Sequence, residues 1–149
     1  SLRRTSSGIV PLGSEPILTG RNVFCPYTDA AEKMLLYWIV QENERELWVT
    51  ELSTGERKRL AWGRGPVLDS SRRDVYYFRD DKLMRIRNWP DAFEKQLIEE
   101  IIAVLPSGVI GGGFSRSVAV GDDAAYAVLH QTSVGSIIVG KLHLPSGRN

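Results

Sequence analysis

The sequence predicts an all-β fold: a partial β-propeller of about three four-stranded antiparallel blades. Three observations carry this expectation. Short apolar or alternating runs of strand length recur along the chain. Turns rich in Gly, Asp, Ser and Pro separate them. The runs also return at an interval of about 45 residues, the length of one four-stranded propeller blade.

Residues 1–16 are polar, carry Gly8, Pro11, Gly13 and Pro16, and read as a lead-in arm, partly disordered. Lys33 to Gln41 is an apolar strand. Glu44 to Leu52 alternates, with Leu47 and Val49 on one face and Trp48 and Thr50 on the other. Ser53-Thr54-Gly55 turns the chain, because glycine supplies the positive φ of a tight reversal, and Glu56 to Trp62 returns as the next strand. Asp74 to Arg79 is aromatic and β-prone, Asp80-Asp81 is a turn, and Lys82 to Arg87 alternates strictly. Ala124 to His130 and Gly135 to Leu144 form a later pair. Residues 90–104 admit two readings. Pro90, Asp91 and Glu94 suit a helix start, with Phe93, Leu97, Ile101 and Val104 as its stripe, whereas the repeat asks for a strand from Ile98 to Leu105. Strand is the expectation for the second half.

The repeat is read from spacing. Tyr37, Tyr77 and Tyr126 are assigned equivalent places in the second strand of successive units. Each unit also opens with a polar turn, at Asp29, at Asp69 to Asp74 and at Gly121-Asp122-Asp123. Blades follow at 17–63, 64–110 and 111–149. Propellers close with about four to eight blades, so a second copy of the chain or further C-terminal blades are expected to complete the ring. A β-sandwich is the competing architecture.

Composition narrows the function classes. The chain has 149 residues, 19 Lys and Arg against 18 Asp and Glu, and a net charge of +1. That balance argues against a nucleic-acid protein. Apolar runs such as Met34 to Val40 are too short to span a bilayer. The N-terminal residues do not read as a signal peptide, and the expected location is cytoplasmic. A single cysteine, Cys25, excludes an internal disulfide.

An ordered series of phrases is informative: Arg21-Asn22-Val23-Phe24, Leu47-Trp48, Leu52-Ser53-Thr54-Gly55-Glu56, Leu60 to Gly65, Tyr76-Tyr77 and Lys82 to Ile86. Over residues 18–105 the series resembles the N-terminal blades of oligogalacturonate lyases. The resemblance implies a seven-bladed propeller that cleaves pectin-derived galacturonides by β-elimination with manganese. It also implies that the metal ligands and the basic residue lie in later blades, outside this chain. The sequence departs from the family where Gly20 replaces a histidine and where Pro66-Val67 replaces an acidic-polar pair. Catalytic residues, metal ligands and cofactors are therefore expected to be none in this chain, with manganese only if the site is completed elsewhere. Similar turn phrases occur in TolB-type and WD40-like propellers, so a non-catalytic protein-interaction module is the alternative.

Candidate binding residues follow from the propeller channel, which the inner strands line. Arg21 and Asn22 precede the first inner strand and Arg64 the second. The guanidinium fork suits a uronate carboxylate, and Trp62 could stack on a sugar ring. An oligogalacturonide is the expected ligand of these four residues; ion pairs between blades are the alternative for the arginines. His130 and His143 are the only histidines, fewer than the three ligands of a catalytic metal, and both read as surface or structural. Ser115 lacks the second glycine of a nucleophile elbow, and Cys25 reads as a buried small hydrophobe. Gly111-Gly112-Gly113 lacks the ending of a phosphate loop and reads as a connector. Arg57-Lys58-Arg59, Arg72-Arg73, Arg85 and Arg87 alternate with acids and read as a mixed solvated surface.

Overall fold

The computed structural model describes residues 2–5, 8–11, 23–41, 44–111 and 118–145. The arm contains a small hairpin, β1 (Leu2–Thr5) against β2 (Gly8–Pro11). Three antiparallel sheets follow. The first holds β3 (Val23–Thr28), β4 (Met34–Gln41), β5 (Glu44–Glu51) and β6 (Arg57–Trp62), in that order. The second holds β7 (Arg64–Leu68), β8 (Val75–Arg79), β9 (Lys82–Ile86) and β10 (Glu99–Val104), again in chain order. The third holds β11 (Val109–Gly111), β12 (Val118–Val120), β13 (Ala124–Gln131) and β14 (Ser136–His143).

The third sheet differs in width. β14 pairs with all eight residues of β13, so it takes one whole edge of that strand. β11 and β12 pair with opposite ends of β13 and must share the other edge, end to end. Four strands therefore make a sheet only three strands wide.

Residues 90–104 settle as strand in their second half, in β10. Only one 3-10 turn, Trp89–Asp91, forms before it. Trp89 is wholly buried and its indole Nε1 donates to the Arg72 carbonyl at 3.0 Å. Phe93 and Leu97 then pack against the core between the first two sheets, so the apolar stripe is satisfied without a longer helix.

Sheets one and two repeat at 40 residues in their backbone detail. Asp29 Oδ1 accepts from the amides of Lys33 and Met34 at 2.8 and 3.0 Å; Asp69 Oδ1 accepts from those of Arg73 and Asp74, both at 3.1 Å. Glu32 and Arg72 hold matching positive φ angles of 57° and 63°. The inner strands β3 and β7 share a bulge, with Cys25 (φ 53°) before Pro26 and Gly65 (φ 62°) before Pro66. The left-handed residue adds one unpaired position and bends the strand.

One assigned equivalence fails. Tyr37 and Tyr77 both point toward the N-terminal side of their sheets, but Tyr126 points away from the second sheet. In the first two turns the aspartate amide pairs with the carbonyl five residues on, at Met34 and Asp74. In the third, Gly121 pairs with Ala124. The tyrosine follows that closing residue by three positions in the first two sheets and by two in the third, and a one-residue slip moves a side chain to the other face.

The sheets stack face to face as propeller blades. In β8, Val75 and Tyr77 join the core with the first sheet, whereas Tyr76 and Phe78 join the core with the third. All four are buried. The first core also holds Leu36, Trp38, Leu47, Val49 and Ile86; the second holds Leu83, Val118, Ala125, Ala127 and Leu129. Cys25 lies in the first core, as expected of a small hydrophobe.

Close approach of the third sheet requires glycine at Gly111. A β-carbon there would lie 2.8 Å from both Cε1 and Cζ of Phe78, which is fully buried and cannot retreat. Gly111→Ala should lower stability by about 1–3 kcal/mol, the usual cost of overpacking a filled core. The check is the urea midpoint, with an unchanged slope of unfolding.

Candidate functional site

Arg64 begins the inner strand β7. Its Nε donates to the Gly111 carbonyl at 2.8 Å, and its Nη2 to the Asp80 carbonyl at 2.7 Å. The side chain thus spans from the second sheet to the inner strand of the third. Burial lowers its pKa, the Asp80 charge partly offsets this, and Arg45 adds to the lowering. Trp62, at the end of β6, is 40% exposed, and the Arg59 guanidinium lies over its ring at 4.1 Å from the centroid. Trp62 is opposite Glu46 and Arg59 opposite Trp48, on the face of the first sheet turned away from the second. Arg64 and Trp62 therefore point in different directions and do not form one ligand surface. Arg21 and Asn22 lie outside the described residues, as do Ser115, Gly112 and Gly113.

A polar cluster that sequence reading left as solvated surface sits between sheets two and three. Arg85 is buried, and its Nε and Nη2 donate to the two carboxylate oxygens of Glu100 at 3.1 and 3.3 Å. Arg85 Nη1 is 3.4 Å from the Tyr76 hydroxyl, and Arg87 Nε donates to Glu100 Oε1 at 3.1 Å. A cleft of about 240 Å³ opens beside them, rimmed by Asp69, Asp74 and Asp122. Burial alone would raise the Glu100 pKa, but the hydrogen bonds and charges of Arg85 and Arg87 outweigh it and hold the carboxyl below its ordinary value. On the opposite side of the same sheet, Glu99 accepts from the Tyr77 hydroxyl and from Arg79. Burial, opposed by the Arg79 charge, pushes the Tyr77 phenol well above its ordinary value. Asp69 and Asp74 accept backbone amides in turns, which marks their carboxylates as structural.

The third sheet presents the largest departure from a closed core. Its inner face holds Ala125, Ala127 and Leu129. The alternate residues Tyr126, Val128 and His130 lie on the other face, opposite Lys141, Val139 and Ile137 of β14, with Ile110 beside His130. Tyr126 is 46% exposed, Ile137 62% and Val139 74%. Ile110, Val128, Ile137 and Val139 are neighbours on this face, with His130 and Lys141 among them, so it is a mixed face with an exposed apolar centre. The sequence signal was the uncharged run Ser136 to Gly140, legible but read only as a hairpin partner.

His130 and His143 share this face but not a site. His130 pairs with Ile137 and His143 with Ala124, at opposite ends of β13, about 20 Å apart at the rise of an antiparallel strand. Among the described residues no group of three His, Cys, Asp or Glu could hold a metal ion, and no helix is long and apolar enough to cross a membrane.

Comparison with known proteins places the architecture. No family model and no curated protein matches the chain. A chain in the crystal structure of a nidogen/laminin complex is similar in fold, with a TM-score of 0.51 and 10% identity over 82% of this chain. A structure assigned as TolB from Agrobacterium tumefaciens aligns with a TM-score of 0.43 and 15% identity over 84% of this chain. The chain spans about half the length of these structures, 47% and 52%. The likeness to the chain of the nidogen/laminin complex and the three stacked four-stranded sheets identify the fold as a partial β-propeller.

Glu100→Gln should destabilise the chain, because the buried Arg85 loses its ionised partner. It should also flatten the acid limb of stability. A carboxylate held low contributes stability above its unfolded pKa, near the ordinary 4.5, and loses it as pH falls through the folded value. Urea midpoints from neutral to acidic pH check both effects: the gap between parent and variant should narrow on acidification.

Proposed function

We propose that the chain is a propeller module that docks another protein on the open side of its third sheet. The supporting observation is the face carrying Ile110, Tyr126, Val128, Ile137 and Val139. It repeats the apolar alternation that the second sheet uses to bury neighbours on both of its faces. Packing such a face against a further sheet would follow the aligned stacking already present twice in the molecule.

A lyase-like or uronate-binding role for Arg64 would need it to release the part-buried Gly111 carbonyl and the exposed Asp80 carbonyl, of which the first would lose its partner at some cost. The docking reading needs no such rearrangement. Two measurements test it. The native chain should bind the hydrophobic dye ANS, with fluorescence falling several-fold in Tyr126→Ser/Val139→Ser. Galacturonate oligomers, with or without manganese, should leave its melting temperature unchanged. Saturable stabilisation by the oligomers, abolished in Arg64→Met, would replace this reading with uronate binding.

A further inference from the structure

We draw no further inference here: the strongest candidate, the groove of about 390 Å³ between the edge strand β6 and residues 92–97, lined by Leu60, Phe93 and Leu97, carries nothing because its basic side chains are already engaged, Lys58 by the Ala92 carbonyl, Arg59 by Glu46 and Lys95 by Asp91, and nothing in the structure shows what covers it.

Discussion

The fold depends on the second sheet being buried on both faces. β8 has no solvent face along Val75 to Phe78: alternate side chains belong to two different cores. Two-residue periodicity makes this arrangement available to any strand, but only stacking between two other sheets makes it stable. Removal of either neighbour would expose Tyr77 and Val75, or Phe78 and Tyr76, to water. Stability in such an array comes from the interfaces between units rather than from each unit alone. The sheets also lie within reach of polar ties at their rims. Tyr27 donates from the first sheet to the Pro66 carbonyl at 3.2 Å, Lys58 to the Ala92 carbonyl at 2.6 Å, and Arg64 to the third sheet. Each tie satisfies a backbone carbonyl that close packing removes from water.

The two end sheets answer this constraint unequally. On the far face of the first sheet, Tyr37 and Thr50 are buried and their hydroxyls lie 2.9 Å apart. On the far face of the third sheet, Tyr126 and Val139 stand in solvent. The first sheet's far face is thus covered around Tyr37 and Thr50 while Trp62 on the same face is 40% exposed, and the third sheet's far face is exposed at Tyr126 and Val139. Polar clusters follow the same logic. The Arg85–Glu100–Arg87 group lies where the second and third sheets diverge toward solvent, so its charges gain fixed partners without entering the apolar centre.

Much of the architecture was legible because strand alternation and turn chemistry are local. Leu47 and Val49 do share a buried face, and Gly55 does take a positive φ, at 79°. The choice of strand for the end of residues 90–104 came from the repeat, a long-range argument that a helical stripe could not overrule. The pairing of Cys25-Pro26 with Gly65-Pro66 was present at the same 40-residue spacing but was passed over, since a cysteine at a glycine-like backbone position does not look like a repeat. Tyr126 misled for the converse reason: residue type matched, but turn length had changed. The role of Arg64 was not legible at all. A carbonyl acceptor carries no signature in side-chain sequence, so a guanidinium aimed at Gly111 and one aimed at a carboxylate ligand read alike.

The third sheet carries apolar side chains on both of its faces. A terminal sheet facing water would place its bulk inward and its polar residues outward. Here both faces carry bulk. The inner face holds Ala125, Ala127 and Gly140 beside Leu129, Ile138 and Leu142, with Leu129 Cδ1 lying 2.5 Å from where a β-carbon of Gly140 would stand. The small residues let the sheet come close to Phe78 and Leu83. Tyr126, Val128, Ile137 and Val139 sit on the outer face, together with His130 and Lys141. Solvent gives no reason to keep β-branched residues there, since each exposed aliphatic side chain forgoes about 1.5–3 kcal/mol of burial. A surface that will be covered does give that reason.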